Sequence, residues 1–202
     1  VAKRNITVKL NTRGTEEILA NENYGAVIAA IGSEPVVPGI PGMQKENRLF
    51  AIQVLEDISL AGKRVVVIGG GEGGIETGMY LAENGREVTV LEMRSEIAAD
   101  ATRIHYRSMM QNAWEQISRL KTVTDASVTE IRDTSVVYRD KNGKEHAIPA
   151  DTIVLSCGMK PLSEQALSLY GYAKEFYMIG DCRAVGNIHT GTRDAYAVTH
   201  QF

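Results

Sequence analysis

The stretch VVVIGGGEGGIE, residues 65–76, sets five glycines within six positions directly behind a run of β-branched residues. Such a run favours an extended chain and suits a strand buried on both faces. Glycine loses more conformational entropy on folding than any other residue, so the cluster must allow something that side chains would prevent. Beyond it, Ile75, Gly78, Met79 and Ala82 recur on one side of a helix, ENG (83–85) ends that helix with Gly85 as a left-handed cap, and REVTVLEM (86–93) supplies a second strand. The spacing predicts a βαβ unit in a Rossmann-like parallel sheet, and hence an α/β protein.

Gly69, Gly71 and Gly74 fall on the GxGxxG template after a buried strand and at a helix start, with Gly70 and Glu72 between them. In that template one glycine makes the tight turn, one admits a pyrophosphate to the backbone, and one lets helix and strand pack closely. The diphosphate would rest on unpaired N–H groups at the positive end of the helix dipole, and the expectation is that any Cβ would fill space a phosphate needs. Glu92 ends the second strand eighteen positions after Gly74. A carboxylate there accepts hydrogen bonds from the adenosine ribose and repels a 2′-phosphate, which favours NAD(H) over NADP(H). Met93 and Arg94 follow in the same loop, and Arg94 is of a type that meets a 2′-phosphate. Glu76, in the first helical turn, suits either the helix dipole or the nicotinamide end of the cofactor.

Outward from this unit, ITVKLN (6–11), TEEILAN (15–21) and AVIAAIG (26–32) read as strand, helix and strand. SEPVVPGIPG (33–42) concentrates prolines among glycines and reads as an extended boundary segment. A longer helix is expected over about 102–120, with Met110, Trp114 and Ile117 on its core face. The period then drops to two in ASVTEI, TSVVYRD, KEHAIPA and TIVLSCG, with a turn at Asn142-Gly143, so a β-meander is expected. FYMIGD (176–181) reads as a last strand and TGTRDAYAVTHQ (190–201) as a helix.

The net charge of −3 lacks the basic footprint of a nucleic-acid binder. AVIAAI (26–31) is far shorter than the ~20 apolar residues that span a bilayer. The chain opens on Val1 with no secretory pattern, which suggests a start inside a longer polypeptide, and two cysteines are too few for a disulfide framework, which fits a cytoplasmic setting. Cys157 and Cys182 form neither a CxxC pair nor a zinc set and read as small buried residues. His105, His146, His189 and His200 lack ligand spacing, so no metal site is expected.

Taken together, AAIGSEPVVPGIPG, VVVIGGGEGGIETGMYLAENGREVTVLEM, IVLSCGMKP and YMIGDC resemble the pyridine-nucleotide half of flavoproteins with two dinucleotide-binding domains. The resemblance extends to the C-terminal part of NADH:flavin oxidoreductases related to Old Yellow Enzyme, the group of 2-enoate reductases, 2,4-dienoyl-CoA reductases and trimethylamine dehydrogenase. It implies a partial FAD domain (1–58 and 159–202) flanking an inserted NAD domain (59–158). It assigns Ala30, Ile31 and Gly32 to a strand end near the flavin nucleotide, Gly158 of SCG (156–158) to the equivalent strand end by NAD, and Gly180-Asp181 to the GD motif whose aspartate holds the ribityl chain. Ile31 stands where the family has threonine, and Ser156-Cys157 where it has Ala-Thr.

The family's other GxGxxG, its flavin barrel and its iron–sulfur cysteines have no counterpart in these residues. The resemblance therefore implies missing N-terminal domains, the place for an FMN and an iron–sulfur cluster, and FAD in the intact parent; a homo-oligomer stays open. The reaction expected is hydride transfer from NAD(P)H to FAD, with the protein supplying alignment and no covalent catalytic residue. The helix expected near Thr190 would direct N–H groups toward the reduced flavin. Two alternatives stay open: a disulfide-reductase-type flavoprotein whose cysteine pair lies outside this sequence, and a dinucleotide-binding module without turnover.

Overall fold

The computed structural model describes residues 6–44, 48–101 and 106–201. In chain order the first elements are α1 (Glu16–Glu22), β1 (Ala26–Ala29), β2 (Ser33–Pro35), β3 (Arg48–Phe50), α2 (Ala51–Glu56), β4 (Arg64–Ile68), α3 (Glu72–Glu83), β5 (Glu87–Leu91) and α4 (Tyr106–Glu115). Then follow β6 (Leu120–Val123), β7 (Ser127–Ile131), β8 (Ser135–Arg139), β9 (Glu145–Pro149), β10 (Thr152–Leu155), β11 (Met159–Pro161), α5 (Ser163–Leu167), β12 (Glu175–Met178) and α6 (Ile188–Thr199). The chain divides into two compact units, Pro35–Gly158 and Val1–Glu34 with Met159–Phe202. Residues 35–58, grouped with the first segment on resemblance, contribute β3 and α2 to the Pro35–Gly158 unit, because β3 pairs with β10.

The larger unit is built on a parallel sheet of order β3-β10-β4-β5-β6. Val65 to Ile68 on β4 and all of β10 are buried, as a parallel strand covered on both faces requires. On one face α3 inserts Ile75 and Leu81 among Val65, Val67, Val88 and Val90, joined by Met110 and Trp114 of α4. A Cβ on Gly78 would come within 2.8 Å of Val90, so its absence lets α3 lie close on the sheet. The α3 helix ends in a Schellman motif, with Arg86 N–H bonded to the Leu81 carbonyl and Gly85 N–H to that of Ala82, and with Gly85 at φ 84°. On the opposite face the antiparallel meander β7-β8-β9 packs Ile131, Val136 and Tyr138 against Val66, Ile68, Leu91 and Ile153. The layers are therefore helix, parallel sheet and antiparallel sheet.

Three expectations need correction. TIVLSCG, read with the period-two strands, leaves the meander as β10 and lies between β3 and β4. The expected helix to Leu120 stops at Glu115, where tight i→i+3 bonds from Gln116 and Ile117 close its last turn, and Leu120 opens β6 beside β5. Residues 102–105 of that helix, His105 included, lie outside the described residues. ITVKLN is not a strand: Ile6, Val8 and Leu10 are exposed, and the segment forms no backbone ladder with a described residue, its Lys9 bonding Glu22 by its side chain alone. Alternation alone does not make a strand without a neighbour to complete its ladder.

The other unit holds a parallel pair of β1 and β12, in register from Ala26 against Glu175 to Ala29 against Met178. The strands β2 and β11 form a second pair. The buried residues of its apolar cluster are Ala29, Ala166 and Cys182. No helix of the described residues is long and apolar enough to cross a membrane.

Candidate functional site

The loop from β4 to α3 carries the glycine cluster. Gly69 adopts φ 101°, and its N–H donates to the Leu91 carbonyl, so the turn is sewn to the end of β5. A Cβ on Gly69 would overlap the Ser156 carbonyl oxygen, one on Gly74 would overlap the Gly69 carbonyl oxygen, and one on Gly70 would come within 2.8 Å of Glu92 and Ile97. This corrects the expectation that each bare position is kept open for a phosphate. At Gly69, Gly70 and Gly74 the space belongs to the protein itself, and the glycines let β4, α3, β5 and the 156–158 strand end converge.

What the convergence leaves for a ligand is a set of amides. The N-terminus of α3 is formed on Gly71, which has no side chain to cap it. The first intrahelical bond is from Ile75 N–H to the Gly71 carbonyl, and the Gly73 and Gly74 amides have no hydrogen-bond partner among the described residues. The Glu72 N–H is taken by Asp100, whose Oδ1 lies 2.9 Å away.

Glu92 sits just past the end of β5 and is only 7% exposed. Its Oε2 accepts the Gly70 N–H at 2.7 Å and its Oε1 accepts the Arg94 N–H at 2.8 Å. Two amides thus fix the carboxylate, and each oxygen keeps a second lone pair for a hydroxyl donor. Gly158 closes the neighbouring strand end at φ 98°, where its carbonyl accepts the Val36 N–H at 3.0 Å. The Arg94 side chain is exposed, and Met93 is 71% exposed.

An acidic group flanks the helix start. The Tyr106 phenol donates to Glu76, and this bond first, then burial and the Glu76 and Glu72 charges, pushes its pKa up to about 12. Burial, with Glu76 and Asp100 nearby, raises the pKa of the Glu72 carboxyl. Glu76 is thus engaged by a side chain that helix periodicity alone did not single out. Asp100 escaped sequence reading as well, since EIAAD carries no spacing rule that would bring its last residue back to Gly71.

In the smaller unit, Gly32 (φ 80°) follows the exposed Ala30 and Ile31 and accepts the Leu162 N–H, and Gly180 (φ 63°) precedes Asp181. Asp181 accepts Ser33 Oγ on Oδ2 and the Gly186 N–H on Oδ1, both at 3.1 Å. The structure thereby brings the Gly32 strand end and the Gly180-Asp181 pair together through Ser33. The α6 helix begins at Ile188, and Asn187 already caps the Thr190 N–H at 3.0 Å. The Asn187 N–H in turn donates to Thr190 Oγ1, so at that end only the Ile188 and His189 amides are left without a partner among the described residues.

A model of the pyridine nucleotide-disulphide oxidoreductases matches residues 2–195. The chain belongs to the pyridine nucleotide-disulphide oxidoreductase family. Among relatives, NADH oxidase of Thermoanaerobacter brockii is 36% identical across 100% of this chain and 31% of its own length. Bilirubin reductase of Mediterraneibacter gnavus is 33% identical across 95% of the chain and 30% of its own length. The chain thus spans about a third of the curated relatives it matches. A solved structure of 2-naphthoyl-CoA reductase with 2-naphthoyl-CoA superposes with a TM-score of 0.88 at 32% identity, over 96% of this chain and 29% of that one. The fold is the Rossmann-like FAD/NAD(P)-binding fold of that family.

The residues present fit a nicotinamide dinucleotide: free amides at the start of α3, a turn that only glycine fits, and a carboxylate pre-oriented at the end of β5. The two cysteines are free, Cys182 is buried, and burial raises the Cys157 thiol pKa above its ordinary value. Among the described residues no cluster of His, Cys, Asp and Glu could hold a metal ion.

Proposed function

We propose that the chain is the electron-input portion of a longer NADH:flavin oxidoreductase related to Old Yellow Enzyme, of the enoate-reductase kind. In this reading the Pro35–Gly158 unit binds NADH, with the site in residues 59–158, and residues 1–34 with 159–202 belong to the FAD domain. A bound nicotinamide coenzyme supplies a hydride and a bound flavin accepts it. The amides of Gly73 and Gly74, with those of Gly71 and Glu72, hold the diphosphate. Glu92 orients the adenosine ribose, Met93 and Arg94 border the adenine end, and Gly158 and Glu76 border the nicotinamide end. Ala30, Ile31, Gly32 and Gly180 line the flavin nucleotide and Asp181 holds the ribityl chain. FMN and an iron–sulfur cluster belong to the N-terminal part of the polypeptide, which would work as a cytoplasmic homo-oligomer.

The observation that carries this reading is Glu92, a buried carboxylate held by the Gly70 and Arg94 amides at the end of the strand that follows the glycine helix. A carboxylate so fixed needs no rearrangement to accept a ribose hydroxyl, and it repels the phosphate that distinguishes NADPH. Support for the branch comes from the relatives, which include a bilirubin reductase and a naphthoyl-CoA reductase.

Calorimetric titration with NADH and NADPH tests the cofactor reading. NADH should bind roughly tenfold tighter, as expected for a hydrogen bond to a charged group, and Glu92→Gln should erase the ratio. Equal affinities in the unaltered chain would contradict it. For electron transfer, the longer FAD-loaded polypeptide mixed with NADH should lose its flavin colour, whereas binding without bleaching would favour a module without turnover.

A further inference from the structure

The α3 helix lacks a cap of its own, yet its first amide is occupied. Asp100, presented from the loop after β5, reaches back across the junction and accepts the Glu72 N–H at 2.9 Å. Its Oδ2 would lie 2.9 Å from a Cβ built on Gly71, so the carboxylate fills the volume directly over that glycine. Gly71 is the template position at which a diphosphate approaches the backbone. Asp100 therefore brings a negative charge to the place where, on the reading above, the cofactor brings two.

We propose that Asp100 is an internal stand-in for the diphosphate, capping α3 until a dinucleotide displaces it. This inference rests on the dinucleotide reading of the same junction. The loop is shaped to present the residue. Ile97, Ala98 and Ala101 are buried, and the Ala98 N–H donates to the Gly70 carbonyl at 2.7 Å. Ala98 itself is held at φ 51°, a left-handed conformation that a residue with a Cβ rarely adopts. The buried alanines anchor the loop to the junction, so a rotation of the Asp100 side chain alone frees the Glu72 amide.

The surroundings make the capped state easy to disturb. Glu72 and Glu76 stand on the same helix turn, and burial together with the Glu76 and Asp100 charges disfavours an ionised Glu72. Like charges a few ångströms apart repel even in a polar setting. The same repulsion would meet an incoming diphosphate for as long as Asp100 stayed, so binding and withdrawal of the carboxylate are coupled. The consequence is a lower affinity for the cofactor, offset by a helix that stays capped without it.

Titration calorimetry with NADH on the unaltered chain, Asp100→Asn and Asp100→Ala tests this, with melting temperatures measured with and without NADH. Both variants should bind NADH about tenfold tighter, melt lower than the unaltered chain without ligand, and gain more from saturating NADH. Asp100→Glu, which keeps the charge, should not gain affinity. NADH binding to the unaltered chain with equal or weaker binding to both neutral variants would overturn the inference and leave the dinucleotide reading standing. Absence of binding in all of them would overturn both.

Discussion

The β4–α3 junction rests on a five-stranded sheet covered by helices on one face and a meander on the other, whereas the patch around Gly32 and Asp181 rests on short strand pairs above Ala29, Ala166 and Cys182. At the junction, added methyl groups would strike the Ser156 and Gly69 carbonyls, so the backbone path is dictated by close packing. At Gly32 and Gly180 no heavy atom of the described residues beyond the chain neighbours lies within 4 Å of an added Cβ, and the positive φ is what disfavours a side chain. The first region stores its geometry in a packed core. The second stores it in backbone dihedrals and the two bonds to Asp181.

The sharpest way to break this contrast is a pair of substitutions. Gly74→Ala forces a methyl group into a carbonyl that cannot retreat, and should cost about 3 kcal/mol, or some 6–12 °C in melting temperature for a chain of this size. Gly32→Ala meets open space and should cost only the ~1–2 kcal/mol of a left-handed Cβ residue. A greater loss from Gly32→Ala would invert the comparison. Next in size is hydrogen exchange: amides of β4, β5 and β10 should exchange at least ~100-fold more slowly than those of β1 and β12. Similar rates in the two sheets would mean that the small cluster is no weaker than the large one.

The βαβ unit was legible because three signals coincide in it: a β-branched run, glycines at fixed offsets, and a helical stripe ending in Gly85. Glu92 was legible because the template places an acid near that distance. Other features depend on neighbours. Ile6, Val8 and Leu10 alternate as a strand does but form no backbone ladder with a described residue, while Leu120 continues a helical stripe and yet is drawn into β6 by the open edge of β5. TIVLSCG has too few residues for period to separate a meander strand from a fully buried one. Asp100 was invisible because its importance lies in a contact 28 residues back along the chain.

Smaller effects refine the junction. Glu92→Gln places an amide NH2 or a single acceptor against two N–H donors, and should destabilise the larger unit by about 1–3 kcal/mol in chemical denaturation while leaving β1–β12 exchange unchanged. A neutral result would show that the carboxylate does not hold the loop. The smallest expected change is spectroscopic. Tyr106 has its pKa pushed up to about 12, above the ~10 of an unfolded tyrosine, so the stability it contributes is complete below about pH 10 and is lost as pH rises through 12. Glu76→Gln should bring its phenolate absorbance back toward pH 10, and an unshifted titration would remove Glu76 as the cause.

The most direct test of the central claim is amide NMR of the chain during titration with NADH. The Gly71, Glu72, Gly73 and Gly74 resonances should shift together and saturate, with Gly70 and Arg94 following as the ribose meets Glu92. If NADH binds while those amides stay in place, the glycine junction is not where the diphosphate is held.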